Sequence, residues 1–297
     1  MTEQTHAKDL TLVLCGTGKT GRRVAQRLRA HGHAIRIGSR YGEPPFDWED
    51  QATWAPALSG VSSAYVAYVP DAGFAGAADK IGTFAKLAVD YGARRLVLLT
   101  GRGEEGAERS EQAARDTGAA LTIVRASFFA QNFSEDFLAE SVRAGVVVFP
   151  AGDVAEPFVD ADDIADVAVA ALTDERHAGQ CYEVTGPRLL TFADAAAEIA
   201  SASGRTVRYL PVSPQQFGSV MIEQGAPAMF VAQLIELLSN VLDGHNAHLS
   251  DGVQRALGRM PRDFTDYASA AAANGAWAAE RSPGLGILGS DRTGSDG

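Results

Sequence analysis

Three glycines with a fixed spacing stand between two apolar patterns near the start of the chain. Gly16, Gly18 and Gly21 form G-x-G-x-x-G. They follow the apolar run 10–15, typical of a strand buried on both faces, and precede a helical pattern that ends at Gly32. Such a turn lets backbone approach a pyrophosphate, and the helix N-terminus offers it N–H groups and partial positive charge. The pattern predicts a dinucleotide site formed by Gly16, Thr17, Gly18, Lys19, Thr20 and Gly21.

The same turn contains Gly18-Lys19-Thr20, the G-K-T of a P-loop that binds nucleoside triphosphates. A P-loop needs another glycine five residues before Gly18. That position is Val13, inside the predicted strand. The spacing therefore favours dinucleotide binding over triphosphate hydrolysis.

The residues after the second and third predicted strands bear on the choice of dinucleotide. Ser39 and Arg40 end the second strand, where an arginine accommodates the 2′-phosphate of NADP and an acidic residue would hold the ribose of NAD. Arg40 therefore predicts NADP, although a solvated arginine is the alternative and nearby Glu43 leaves NAD open. Asp47 and Trp48 follow at the expected adenine edge, as an acceptor for the amine and a wall for the ring, with core packing the alternative for Trp48.

Polar residues also follow the next two predicted strands. Tyr68 ends the fourth, near the expected path of the nicotinamide and its ribose. Thr100, Gly101 and Arg102 follow the fifth, where the glycine permits close approach of a ligand and the arginine offers N–H groups to an anionic or carbonyl oxygen. The alternative for Arg102 is a solvated side chain in a surface loop.

Composition excludes several classes of function. The chain has 297 residues, 46% of them hydrophobic, which is enough for a sizeable core in one large or two intimate domains. Its net charge of −11 argues against nucleic-acid and anionic-membrane partners, which need basic surface. A polar N-terminus without a signal-peptide pattern and two separate cysteines fit a cytoplasmic protein.

Strand and helix patterns alternate through the first half of the chain, which predicts a parallel sheet covered on both faces. The predicted strands are residues 10–15, 33–38, 46–48, 64–69, 95–99, 121–124, 146–149 and 181–184. Further helices are predicted at 76–91, 110–117, 132–144, 160–172, 191–202, 214–224, 227–242 and 264–280. The expected fold is α/β, a Rossmann doubly wound parallel sheet with a smaller, mostly helical C-terminal substrate lobe.

The expected domain boundaries follow from these elements. A tail of residues 1–8 precedes the dinucleotide-binding domain, which comprises 9–127 and 159–187. The substrate-binding lobe comprises 128–158 and 188–281. Residues 282–297, rich in Gly, Ser and Asp, are predicted to be a disordered tail.

Metal binding is not expected. Asp160, Asp162, Asp163 and Asp166 open an apolar helix, where capping and the helix dipole explain acidic residues. His245 and His248 lack an obvious third ligand.

Several segments taken together resemble one known family. GTGKTGRR, LVLLTGRGEEGAE, TIVRASFFAQNF, EPFVDADDIADVA and GRMPRDFTDYA, in this order, are similar to the NmrA-like branch of the atypical short-chain dehydrogenases over about residues 9–277. The resemblance implies NAD(P) bound along the glycine turn and the later strand ends. Members include NADPH-dependent reductases of quinones and other aromatics, tailoring enzymes of secondary metabolism, and sensors that bind dinucleotide without turnover.

The chain departs from the wider superfamily at the usual proton donor. Short-chain dehydrogenases carry Tyr-x-x-x-Lys on the helix after the fifth strand, where the tyrosine gives the proton. Residues 110–115 here read SEQAAR, with neither Tyr nor Lys. The catalytic residue is therefore left open, with Tyr68, Arg102 and Asn132 as candidates, and an electron-poor acceptor such as a quinone or enone is favoured.

Substrate contacts are expected after the sixth strand and from the helical lobe. Aromatic walls, amides and flexible apolar side chains suit an aromatic or quinonoid molecule, while core packing is the alternative for the Phe and Met residues. The expected contacts are Phe128, Phe129, Gln131, Asn132, Phe217, Met221, Met229 and Phe230. The expected function is an NAD(P)H-dependent oxidoreductase of a small molecule, including quinone reduction coupled to oxygenation. The alternative is a non-catalytic NAD(P) sensor that binds a protein partner, and a homo-oligomer is left open.

Overall fold

The structure is a computed structural model that describes residues 9–278. The tails predicted at 1–8 and 282–297, and the end of the helix predicted at 264–280, lie outside the described residues. Within the described part, no helix has both the length and the apolar character needed to cross a bilayer.

Six strands form one parallel sheet, which confirms the expected Rossmann fold. The strands of the chain are β1 (Leu10–Leu14), β2 (Ala34–Gly38), β3 (Val61–Val66), β4 (Arg95–Gly101), β5 (Leu121–Ala126), β6 (Val146–Phe149), β7 (Ala155–Glu156), β8 (Cys181–Val184), β9 (Leu190–Thr191) and β10 (Arg208–Pro211). The large sheet has the order β2-β1-β3-β4-β5-β8. The chain reverses its direction of travel across the sheet beside β1, which places the ligand crevice at the carboxyl ends of β1 and β3.

Helices cover both faces of this sheet and form most of the remaining lobe. They are α1 (Lys19–Ala30), α2 (Trp54–Leu58), α3 (Ala77–Asp90), α4 (Glu105–Arg115), α5 (Asn132–Glu135), α6 (Ala139–Arg143), α7 (Ala161–Thr173), α8 (Phe192–Ser203), α9 (Pro214–Glu223), α10 (Ala228–Val241), α11 (Gly252–Leu257) and α12 (Phe264–Ala273). Helix α1 buries Val24, Ala25 and Leu28 against the sheet. Helix α7 packs on the same face of the sheet as α1. Arg27 of α1 forms ion pairs with Asp162 and Asp166 of α7, which hold the two helices side by side.

The acidic residues that open α7 have structural partners. Asp160 caps the helix by accepting from the backbone N–H of Asp162. Asp163 is fully buried and pairs with Arg259 and Arg262. These contacts agree with the capping interpretation of the acidic cluster.

Each face of the large sheet has a hydrophobic core, and the lobe has a separate core of its own. Phenylalanine rings dominate it: Phe149 and Phe192 have centroids 5.0 Å apart, and Phe133 and Phe158 have centroids 5.6 Å apart. Trp277 closes this core, and its indole N–H donates to the carbonyl oxygen of Phe133 at 2.7 Å. Aromatic pairs of this geometry stabilise beyond their buried area, so the lobe is a packed unit on the strand ends.

Three predicted elements need correction. Residues 46–48 are not a strand, because Phe46 and Trp48 turn into the core while Asp47 forms only an isolated bridge with Asp50. The strand predicted at 64–69 is Val61–Val66, since the carbonyl oxygen of Ala67 accepts from side chains and not from a neighbouring strand. The lobe, predicted as mainly helical from Gly186 on, also contains β9 and β10.

The helix predicted at 132–144 is divided into α5 and α6. Asp136 interrupts it with extended backbone angles, φ −144° and ψ −160°. Its carboxylate accepts from the backbone N–H of Phe137 and pairs with Lys19. A side chain that hydrogen-bonds its own neighbouring backbone competes with helix formation, which explains the break.

Candidate functional site

The glycine turn has the tight geometry that its sequence predicts. A Cβ at Gly16 would lie 2.9 Å from Ile37, and a Cβ at Gly21 would overlap the carbonyl oxygen of Cys15. The third glycine therefore lets α1 pack against the end of β1. Gly18 is the N-cap of α1 and offers no side chain to the first turn, which contains no acidic residue. The N–H groups at this helix start suit a phosphate.

Cys15 adopts a strained backbone conformation at the entrance to this turn. Its φ of 51° is the one positive value found outside glycine in residues 9–278. For a residue with a Cβ this left-handed conformation costs about 1–2 kcal/mol. The thiol lies 3.3 Å from the carbonyl oxygen of Ala67, and burial raises the thiol pKa to about 11. Cys15 therefore has a packing role and stays protonated.

Lys19 connects the glycine turn to the loop after β5. Its Nζ donates to Oδ1 of Asn132 at 2.7 Å, pairs with Asp136, and lies 5.5 Å from the centre of the Phe129 ring. A predicted cofactor residue is thus in contact with two predicted substrate residues. The ammonium group forms a cationic corner between the two parts of the site.

The residues predicted for the adenosine end lie around the end of β2. Arg40 is exposed and forms no ion pair with any other residue in the described range. Ser39 shapes the turn, since its carbonyl oxygen accepts from the N–H groups of Gly42 and Phe46. Asp47 caps the next turn through the N–H of Glu49.

Trp48 is reassigned to the core. It is 6% exposed, and its indole N–H donates to the carbonyl oxygen of Ala67 at 3.1 Å. Its ring is surrounded by aromatic side chains, with Tyr68 at 5.0 Å and Phe84 at 5.3 Å between centroids. Trp48 therefore supports Tyr68, which remains half-buried at the end of β3.

Thr100 and Gly101 end β4 beneath two glutamates of the following segment. The Thr100 hydroxyl donates to Glu111 at 2.9 Å, so it is tied to α4. A Cβ at Gly101 would overlap the carboxylate of Glu104. Gly101 was predicted to permit the close approach of a ligand. In the structure, the group that approaches it closely is the carboxylate of Glu104.

Comparison with known proteins places the chain in a family, although no family model matches it. The uncharacterized oxidoreductase YesF of Bacillus subtilis is 32% identical over 274 residues, covering 88% of this chain and 95% of YesF. The NAD(P)H azoreductase of Xenophilus azovorans is 33% identical over 261 residues, covering 84% and 86%.

Two solved structures share the fold. The Citrobacter triphenylmethane reductase, complexed with NADP(H), has a TM-score of 0.69 and 21% identity over 89% of this chain and 99% of its own. NmrA, a negative transcriptional regulator, has a TM-score of 0.66 and 15% identity over 90% and 98%. The chain belongs to the NmrA-like family of atypical short-chain dehydrogenases. Its relatives include oxidoreductases.

This NmrA-like chain fills the usual tyrosine–lysine position differently. Helix α4 contains neither residue type. Its Glu111 is fully buried and accepts from Nε and Nη2 of Arg125 at 2.7 and 2.6 Å. Ser110 is also buried, with its hydroxyl on the carbonyl oxygen of Ala72 at 2.7 Å. These contacts attach α4 to the sheet.

Two of the substrate predictions are corrected by the contacts of the NmrA-like lobe. Gln131 is buried, its amide donates to Asp160 at 2.8 Å, and its carbonyl accepts from the N–H of Ala161 at 2.7 Å. Both polar ends are therefore used to hold the start of α7. Met229 is 77% exposed on α10.

The other predicted apolar contacts lie around the lobe. Phe128 packs 5.2 Å from Phe192, and Phe217 packs 5.5 Å from Phe149. Phe230 of α10 meets Phe74 of the loop after β3 at 5.9 Å. Met221 is half-buried on α9. Helix α9 therefore packs on β6, and α10 packs on the loop after β3.

Three polar groups near the strand ends have no signal in the sequence, namely Asp71, Glu104 and Glu156, whereas Arg102 and His245 stand out in the sequence but their partners do not. Half-buried Asp71 and buried Glu104 form a carboxyl pair beside Gly73 and Gly101. Burial raises the pKa of both, and the Asp71 charge raises the pKa of Glu104 further.

Glu156 and His245 lie on the other side, near Arg102. The residues come from three separate segments, and nothing in their local spacing reveals that the fold brings them together.

Proposed function

We propose that this protein is an NADP-preferring reductase of a small, electron-poor aromatic or quinonoid molecule. The observation that carries the proposal is the contact of Lys19, in the glycine turn, with Asn132 and Phe129 of the expected substrate segment. A pyrophosphate at the start of α1 would thereby lie beside an apolar wall and an amide. The similarity to an azoreductase at 33% identity supports the same class of chemistry.

The residues present fit a dinucleotide. The glycine turn and the uncapped start of α1 would hold the pyrophosphate, Ser39 and Arg40 the 2′-phosphate, and Tyr68 would border the nicotinamide ribose. When bound, the reduced nicotinamide would supply the hydride and the protein would supply orientation.

The test is oxidation of NADPH, followed by its absorbance, with a panel of quinones and an azo dye. Turnover of at least one acceptor, faster with NADPH than with NADH, supports the proposal. Tight NADPH binding without turnover of any acceptor overturns it. Oxygen uptake in the same cuvette tests whether the reduced quinone goes on to react with oxygen, as the coupled oxygenation requires.

A second candidate is a dinucleotide sensor that binds a protein. The absence of Tyr and Lys from α4 and the likeness to NmrA favour it. The half-buried aromatic side chains Phe128 and Phe217 favour a small-molecule site instead. Capture of a specific partner only when NADP is present, without turnover, would decide for the sensor.

A further inference from the structure

Two oppositely charged side chains are buried near the end of β4 and yet each keeps an unused polar atom. Arg102 is 3% exposed and Glu156 is 1% exposed. Arg102 donates through Nε to Glu183 at 3.3 Å and through Nη1 to the carbonyl oxygen of Asn246 at 3.0 Å. Its Nη2, and Oε1 of Glu156, have no hydrogen-bond partner within residues 9–278.

Such orphan atoms are costly. An unsatisfied buried donor or acceptor costs about 1–3 kcal/mol, and more when the group is charged. Arg102 and Glu156 are near enough for the arginine charge to lower the glutamate pKa, but they do not form an ion pair with each other. A bound molecule that hydrogen-bonds to both Arg102 Nη2 and Glu156 Oε1 would remove this cost.

Both residues border the crevice where a Rossmann fold binds its ligands. The backbone N–H of Arg102 donates to the carbonyl oxygen of Ala126, the last residue of β5, at 3.0 Å. Glu156 precedes Pro157, whose carbonyl oxygen accepts from the hydroxyl of Ser127 at 2.6 Å. Arg102 and Glu156 therefore flank the carboxyl ends of β4 and β5.

An Asp–His pair lies at the surface beside Gly103, the residue after Arg102. Asp243 lies 2.5 Å from Nδ1 of His245, which orients the ring, and the imidazole is 43% exposed. Its Nε2 lies against Gly103, where a Cβ would overlap it. The amide of Asn246 donates to the carbonyl oxygen of Arg102 at 3.2 Å, so this loop is fixed to the end of β4.

We propose that Arg102 and Glu156 form the polar end of the substrate site, where Arg102 Nη2 binds the acceptor heteroatom, Glu156 protonates it, and His245 returns the proton from solvent. This proposal rests on the proposed reductase function. The substrate class is an acceptor whose oxygen or nitrogen becomes basic when a conjugated or adjacent atom receives hydride, such as an enone or an azo group.

The proton balance closes on these residues. An acceptor that gains hydride from NADPH gains two electrons and one hydrogen and still lacks one proton on its heteroatom. The O–H bond of Glu156 breaks to supply it, and Arg102 stabilises the carboxylate that remains. The charged groups that face Glu156 are Arg102, His245 and Asp243; burial raises its pKa to about 7, while the charges of Arg102 and His245 act in the opposite direction. Glu156 is therefore poised to give a proton near neutral pH.

The first test compares two acceptors in the wild type, Glu156→Gln and Glu140→Gln. An azo dye needs a proton on nitrogen, whereas a triphenylmethane dye is a carbocation that hydride alone neutralises. We expect Glu156→Gln to lower kcat for the azo dye about 100-fold or more, within the range of general acid catalysis, and to spare the cationic dye. Glu140, exposed on α6, is the matched control and should change neither. Equal azo turnover in wild type and Glu156→Gln overturns the proposal.

The second test does not require turnover and uses 4-nitrophenol, whose absorbance distinguishes phenol from phenolate. We expect nitrophenol to bind the NADP⁺-saturated wild type and to bind Glu156→Gln at least tenfold more weakly. We also expect the absorbance of the bound ligand to change between phenol and phenolate over the pH range in which Glu156 loses its proton. A wild-type binding curve unchanged by Glu156→Gln and Arg102→Gln, or no binding, overturns the site. If no acceptor is reduced while nitrophenol binding depends on both residues, the proposed function fails and the polar site stands.

Discussion

The ammonium group of Lys19 lies 2.7 Å from Oδ1 of Asn132, although the residues are 113 positions apart in the chain. Lys19 stands at the first turn of α1 and Asn132 at the first turn of α5. The contact joins the predicted pyrophosphate site to the predicted substrate segment. A ligand that bridges the two parts of the site must pass beside this cation.

Replacing Lys19 tests its contribution to cofactor binding. Lys19→Met removes the cation while keeping an unbranched side chain, so we expect NADPH to bind about tenfold more weakly, as for loss of one charge-assisted hydrogen bond. Titration of nicotinamide fluorescence measures the Kd. Asp136→Asn is the matched variant, because it frees the same ammonium group from its carboxylate partner and should tighten NADPH binding. Unchanged affinity in both variants would show that Lys19 does not face the dinucleotide.

Arg40 is expected to select the cofactor. Arg40→Asp replaces a cation for the 2′-phosphate with a carboxylate that repels it, so NADP should bind at least tenfold more weakly while NAD affinity is retained. Both Kd values come from the same fluorescence titration with the reduced forms NADPH and NADH, because the oxidised nicotinamide does not fluoresce. Arg29→Asp makes the same charge change at an exposed position on α1 and should leave the NADP to NAD ratio as it is. If the ratio of NADP affinity to NAD affinity falls equally in Arg40→Asp and Arg29→Asp, cofactor choice depends on the net charge of the protein and not on Arg40.

The parts of the fold that could be predicted from sequence depend on short-range patterns. The β1–turn–α1 unit is encoded largely in consecutive residues, because a side chain at Gly18 or Gly21 would meet Cys15 of the same turn. The capping role of Asp160 is likewise predictable, because an acidic residue directly before a helical pattern is a typical N-cap. Burial on both faces also makes β4 and β5 recognisable as apolar runs.

What could not be predicted depends on tertiary neighbours. Residues 46–48 have strand-like composition, but the aromatic cluster around Phe84 draws Phe46 and Trp48 inward, and packing overrides strand propensity. Glu156 is 54 positions from Arg102 and carries no local motif. Its unused oxygen is visible only when the surrounding atoms are in place.

Cys15 provides a measure of backbone strain in the glycine turn. Cys15→Gly and Cys15→Ala both remove the thiol and its contact with Ala67, but only alanine keeps a Cβ at a φ of 51°. We expect Cys15→Gly to exceed Cys15→Ala by about 1 kcal/mol in the free energy of unfolding. Urea denaturation of the two variants gives this difference directly. Alanine equal to or more stable than glycine would refute the assignment of strain.

The buried ion pair that attaches α4 to the sheet predicts a large loss on substitution. Glu111 is fully buried against Arg125 and Thr100, so Glu111→Gln leaves the guanidinium facing an amide and should cost about 3 kcal/mol of unfolding free energy. Glu108→Gln, on the same helix, removes a carboxylate that is 58% exposed and 3.6 Å from the same arginine. Its loss should be below about 1 kcal/mol. Similar urea midpoints for the two variants would contradict the structure.

The carboxyl pair of Asp71 and Glu104 predicts a pH dependence of stability. Burial raises both pKa values, and the mutual charge raises that of Glu104 well above its usual value. Because folding raises these values, the stability that the pair contributes is complete below the pKa of the free carboxyl groups, about 4, and is lost as the pH rises through the folded-state values. Wild type should therefore lose unfolding free energy as the pH rises above the pKa of the free carboxyl groups, about 4, measured by urea denaturation in matched buffers.

Glu104→Gln separates this effect from the rest of the titration. The amide stays neutral beside Asp71, so the loss of unfolding free energy with rising pH should be smaller than in wild type. Glu105→Gln is the control, because it changes the same charge at the next residue, where the side chain is 89% exposed. Parallel pH profiles for wild type and Glu104→Gln would show that the pair does not share a buried site. A profile flattened only in Glu104→Gln assigns the pH dependence to the carboxyl that covers Gly101, because the exposed neighbour has no desolvation to reverse.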